Sequence, residues 1–149
     1  MVIAVDFDGT IVEHKYPEIG EERPYATEVL KMLIADRHKL ILWSVRNGKL
    51  LDDAVNWCKE RGVTFYAVNS DSSAMFEEAK DKNLSCKLNA DVFIDDCNIG
   101  GLPDWPTIYK IISKKVTYAQ ILRKQIREQY EEQEPPSPKW MFWKSDKKR

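Results

Sequence analysis

Asp6 and Asp8 close the first apolar run of this 149-residue chain, Ser44 closes the second, and the pair Asp95 and Asp96 closes the fourth. Side chains alternate along a strand, so Asp6 and Asp8 are expected on one side and Phe7 on the other, in the core. Four carboxylates drawn into one crevice repel each other unless a cation joins them. An oxygen set of this kind selects hard Mg²⁺, which keeps several waters and takes a phosphate oxygen as a further ligand. A phosphate ester brought to such an ion meets one carboxylate as nucleophile, and a second can protonate the leaving oxygen. The metal candidates are therefore Asp6, Asp8, Asp95 and Asp96. Gly9, Thr10, Arg46 and Asn47 flank them as candidates for substrate contact. Arg46 has the fork to hold a phosphate in a bidentate manner, whereas Asn47 has the alternative of capping the next helix.

The elements that must position these residues follow from hydrophobic spacing. Residues 2–7, 39–44, 64–68 and 91–94 read as strands, and 108–112 as a short fifth. Pro24 opens a helical pattern in which Val29, Leu30, Leu33 and Ile34 share a face. A second helix spans 47–61, with Leu50, Leu51, Ala54, Val55 and Cys58 inward and Gly62 as its stop. A weaker helix is expected over 72–83. Thr117 begins the last one, in a capping box with Gln120, and Tyr118, Ile121, Leu122, Ile126 and Tyr130 recur along it. Strands alternating with helices predict a single α/β, Rossmann-like domain over residues 1–130, its parallel sheet covered by helices on both faces. Such sheets bind ligands beyond the carboxyl ends of their strands, which is where the acids fall.

The ordered set Asp-Phe-Asp-Gly-Thr-Ile, a Ser after a hydrophobic strand, a downstream Lys and a terminal Asp-Asp resembles the haloacid dehalogenase superfamily. The stretch from Trp43 to Tyr109 is similar to its small capless members, through Phe-Tyr-Ala-Val-Asn and Ile-Asp-Asp-x-Asn-x-Gly-Gly-Leu-Pro. The resemblance implies a Mg²⁺-dependent phosphohydrolase in which Asp6 attacks phosphorus and forms an aspartyl-phosphate. It implies that Asp8 serves as acid and then base, with its backbone carbonyl on the metal, and that Ser44 bonds the transferring phosphoryl group. It also implies that Asp95 and Asp96 complete the metal site. The lysine falls to Lys87, with Lys80 and Lys82 as competitors. Relatives often carry Arg where Cys97 stands, and Cys97 reads as a buried, inert thiol.

Neither interval that holds a cap in that superfamily has room for a separate domain, so an open site and a bulky or terminal phosphate are expected. The substrate class is a phosphorylated small molecule or an exposed phosphate on something larger. A nucleic-acid-end or nucleotide phosphatase is an alternative, and a non-catalytic phospho-binding protein of the same fold is another.

Composition narrows the field. Lys plus Arg number 23 against 24 Asp plus Glu, a net charge of -1, which argues against a general nucleic-acid binder. No apolar run approaches the ~20 residues of a membrane span, and the N-terminus lacks the basic start of a signal peptide. Cys58, Cys86 and Cys97 are too scattered for a disulfide framework or zinc site, so a reducing cytoplasm is expected. Residues 131–149 form a Pro-rich linker and a basic, aromatic tail. Its segment Trp140, Met141, Phe142, Trp143 suits a partner's groove, a membrane interface or a stacked base.

Overall fold

The computed structural model describes residues 1–70 and 87–133, with side chains to residue 130. Compact packing divides the chain into a unit Met1–Tyr109 and a second that begins at Lys110. The first holds four parallel strands: β1 (Val2–Val5), β2 (Lys39–Leu42), β3 (Ala67–Val68) and β4 (Val92–Ile94). Their spatial order is β3-β2-β1-β4. The chain therefore builds outward from β1 on one side and crosses to the other for β4, giving a topological switch between β1 and β4. This is the α/β, Rossmann-like arrangement expected, and its switch point is where such sheets form a binding crevice.

The strands form because they are apolar on both faces, as buried parallel strands must be. Ala4, Ile41, Ala67 and Leu88 pack on one face of the sheet, while Ile3, Val5, Leu40 and Leu42 are equally buried. Helix α1 (Ala26–Ala35) buries Val29, Leu30 and Leu33, and α2 (Gly48–Glu60) buries Ala54 and Cys58. α1 starts two residues after Pro24, because Tyr25 takes a left-handed conformation (φ 67) and Glu22 supplies the cap from outside. The Glu22 carboxylate accepts from Thr27 N at 3.0 Å and from Thr27 Oγ1 at 2.6 Å. At the other end of α2, Gly62 (φ 81) reverses the chain, and Val63 N donates to Cys58 O.

The expected fifth strand over 108–112 is instead part of helix α3 (Trp105–Lys114). Short apolar runs do not distinguish strand from buried helix, and the deciding signal lies just upstream. Asp104 caps the helix, its Oδ1 accepting from Thr107 N and its Oδ2 from Thr107 Oγ1, each at 2.9 Å. In the second unit, α4 (Tyr118–Gln133) opens with the predicted capping box: Thr117 N donates to Gln120 Oε1 at 2.8 Å, and Gln120 N to Thr117 Oγ1 at 3.3 Å. Along α4 the Tyr118, Leu122, Ile126 and Tyr130 stripe is exposed. The helix expected over 72–83 lies outside the described residues. No helix among those described is long and apolar enough to cross a membrane.

Candidate active site

The candidate residues lie beyond the carboxyl ends of β1, β2 and β4. Asp6 N continues the ladder to Ile94 O at 2.9 Å, and Trp43 N donates to Val5 O at 2.8 Å. Asp6 and Ser44 thus sit just past paired strand ends, with Asp95 following β4. After Asp6 the chain folds into a tight turn in which the N–H groups of Ile11 and Val12 both donate to Phe7 O. This turn buries Asp8, Gly9 and Thr10, although three of its residues are polar or lack a side chain.

Gly9 (φ 92) is required twice over. Its backbone is left-handed, and a Cβ there would collide with the Asp96 carboxylate. Thr10, fully buried, is the hub of the crevice. Its hydroxyl hydrogen-bonds the Asp6 carboxyl, and its Oγ1 accepts from Asp96 N at 3.1 Å. Its carbonyl accepts from Trp105 Nε1 at 3.2 Å. A threonine expected to touch substrate instead joins the two strand ends. Burial pushes the Asp6 carboxyl up to about 6, partly offset by bonds from Phe7 N–H and Thr10, with Asp95 and Asp96 adding repulsion.

Asp95, Asp96 and Cys97 can bring one ligand atom each within 4.8 Å of one another. Asp95 Oδ1 also accepts from Cys97 N at 2.7 Å. Cys97 is exposed, not buried as expected, because it stands in the turn after β4, where no described residue covers it. Its thiol is pushed up by the neighbouring Asp96 and Asp95 charges, which disfavours the thiolate. Cys58, by contrast, is buried, and burial raises its thiol to about 12.

Asp8 and Arg46 depart most from expectation. Arg46 is 1% exposed. Its Nε donates to Asp8 Oδ2 at 2.6 Å and its Nη2 to Asp8 Oδ1 at 2.7 Å. Nη1 also donates to Pro17 O at 2.9 Å, and Nη2 to Glu18 O at 2.8 Å. The fork expected to hold a substrate phosphate is thus spent inside the protein. The Asp8 carboxylate turns toward Arg46, so its side chain is not a metal ligand here and only its backbone carbonyl is left for that task. A buried guanidinium is tolerated because a carboxylate and two carbonyls satisfy it, and Asp8 raises it further above its already high value.

Ser44 is held by a residue that sequence reading did not single out. Asn69, after β3, accepts from Ser44 N through Oδ1 at 2.8 Å and donates to Ser44 O through Nδ2 at 2.9 Å. Its backbone is left-handed (φ 50), a conformation Asn tolerates. Ser44 Oγ accepts from Arg46 N at 3.2 Å. Asn47 takes the N-cap position of α2 but makes no side-chain capping bond. Lys87 is exposed and precedes Leu88, while Lys80 and Lys82 lie outside the described residues. His14 is exposed in the segment after β1.

The donors fit a hard divalent cation: carboxylates of Asp6, Asp95 and Asp96 and the Asp8 carbonyl are all oxygen, with one exposed thiol at the edge.

No family model and no curated protein matches the chain. A solved structure of a conserved protein from Bacteroides thetaiotaomicron does. It is 57% identical, covering 81% of this chain and 96% of that one, with a TM-score of 0.75. The chain belongs to that protein's family. At this identity the family shares its fold throughout the aligned part, about four-fifths of the present chain.

Proposed function

We propose that the protein is a Mg²⁺-dependent phosphohydrolase of the haloacid dehalogenase type, working through an aspartyl-phosphate on Asp6. The observation that carries this reading is the Asp6 carboxyl, partly buried at the switch point and bonded by Thr10, whose hydroxyl also fixes Asp96. A nucleophilic carboxylate needs that orientation, and its mutual repulsion with Asp95 and Asp96 is the electrostatic setting a divalent cation relieves. When bound, Mg²⁺ would be held by Asp6, Asp95, Asp96 and the Asp8 carbonyl, and it would supply charge neutralisation at the phosphoryl oxygens.

An Asp6 carboxylate oxygen attacks phosphorus, and the bond from phosphorus to the leaving oxygen breaks. Asp8, entering the cycle with a proton on a lone pair outside its two bonds from Arg46, passes that proton to the leaving oxygen. In the second half Asp8 takes a proton from the water that hydrolyses the aspartyl-phosphate, restoring Asp6 and releasing inorganic phosphate. Ser44, steadied by Asn69, hydrogen-bonds the transferring group. Between Thr10 and Pro24 lies only a short segment closed by the bridge Val12 to Glu22, which supports an uncapped site suited to an accessible phosphate.

Release of phosphate from an aryl phosphate tests the reading. The wild type should turn over with Mg²⁺ and stop with EDTA, and Asp6→Asn should lose at least 1,000-fold while staying folded. Undiminished turnover by the folded Asp6→Asn variant would end the aspartyl-phosphate mechanism.

A further inference from the structure

We propose that Arg46 is a positioning residue: it fixes the Asp8 carboxylate and ties the segment 13–19 to the site without itself touching substrate. The proposal relies on the phosphohydrolase reading only for the task given to Asp8.

A guanidinium has five N–H donors in a rigid plane. Arg46 commits four of them to three groups: both oxygens of Asp8, the Pro17 carbonyl and the Glu18 carbonyl. The plane is flanked by two rings, with Phe7 at 5.2 Å from the guanidinium carbon and Tyr16 at 5.4 Å. Its backbone N–H rests on Ser44 Oγ. One buried side chain therefore joins the end of β1, the end of β2 and the segment between them.

Among the described residues, few other hydrogen bonds hold that segment. Its base is closed by Glu13 N donating to Glu21 O at 2.8 Å and by the bridge Val12 to Glu22. Between these points, His14, Lys15, Tyr16, Pro17 and Glu18 are all exposed. The two carbonyls held by Arg46 supply the inward anchorage. For Asp8 the same fork removes rotational freedom, because both oxygens must meet coplanar donors. A proton-transfer group must be held to within a fraction of an ångström, and misplacement by about 1 Å costs on the order of 100-fold. Lysine offers a point charge without the fork, so it cannot meet Asp8 and two carbonyls together.

The experiment compares Arg46→Met and Arg46→Lys with wild type on an aryl phosphate. Limited trypsin digestion, followed at the exposed Lys15 by mass spectrometry, gives a second readout independent of activity. For Arg46→Met, kcat should fall about 100-fold with KM within about threefold, and cleavage after Lys15 should quicken at least tenfold. Arg46→Lys should recover no more than about a tenth of the lost kcat, and it carries the test alone if Arg46→Met does not fold. A raised KM with unchanged kcat would make Arg46 a substrate ligand and overturn the proposal. So would wild-type behaviour of Arg46→Lys, or an unchanged Lys15 cleavage rate. Absence of wild-type turnover would defeat the phosphohydrolase reading alone, and the cleavage ratio would still decide whether Arg46 ties the segment.

Discussion

At the scale of single residues, Asp6 carries the clearest physical signature. Its carboxyl stands at about 6 against an ordinary 3.8 because burial disfavours the charge. The folded chain then holds this proton more tightly than the unfolded chain does. The stabilisation is complete below about pH 3.8 and is lost as pH rises through about 6. A rise of that size corresponds to about 3 kcal/mol for charging the carboxyl, which solvent screening at this partly exposed group reduces to about 1 kcal/mol. Asp6→Asn should therefore stabilise the metal-free protein by about 1 kcal/mol at pH 8 and by nothing at about pH 4. Thermal melts in EDTA across that range check this, and an equal gain at both ends would show that burial of the charge is not the cause. Added Mg²⁺ should raise the wild-type melting temperature at pH 8 and leave that of Asp6→Asn nearly unmoved. Gly9→Ala acts at the same spot through sterics. A left-handed alanine against Asp96 should cost about 2–3 kcal/mol. Denaturant titration measures it, and a loss below about 0.5 kcal/mol would mean the turn yields easily.

At the scale of elements, the site depends on how strand ends are joined. Asn69 fastens the end of β3 to Ser44 with two hydrogen bonds, in a backbone conformation that alanine resists. Asn69→Ala should cost about 2–3 kcal/mol, two bonds at about 1 each plus the left-handed strain. Asn69→Gly should cost about 1 kcal/mol less, since glycine bears that conformation freely. Equal losses for the two would assign the whole effect to the hydrogen bonds. Much of this architecture was legible in the sequence. The four strands stand where their apolar runs are, and the order of acids at strand ends placed Asp6, Thr10, Asp95 and Asp96 together. What sequence did not reveal is pairing across distance. Nothing local marks Arg46 as Asp8's partner, because 38 residues separate them and only folding brings β1 beside β2. Asn69 ends the Phe-Tyr-Ala-Val-Asn segment, but nothing in that segment marks it as the partner of Ser44, 25 residues away. Helix α3 departs from its expected strand for a local reason: its cap lies in Asp104 and Thr107, ahead of the isoleucines whose apolar run suits either element.

At the scale of the molecule, the near-zero net charge is a sum over unlike parts. Residues 139–149 hold five basic groups and one acid, a net +4 against -1 for the whole chain, which leaves -5 on the remainder. The acids with a proposed chemical use belong to that remainder and lie, with Thr10, Ser44, Arg46 and Asn69, in the unit Met1–Tyr109. Turnover of a small phosphate ester should then be indifferent to the basic, aromatic end. Removing residues 135–149 is expected to leave kcat/KM for an aryl phosphate within twofold, at both low and moderate salt. The salt arms matter because a +4 segment raises the local concentration of polyanions, an effect that fades as counterions screen it. A small aryl phosphate carries too little charge to gain much from that attraction, so a tenfold loss on truncation, persisting at high salt, would mean that the tail completes the site.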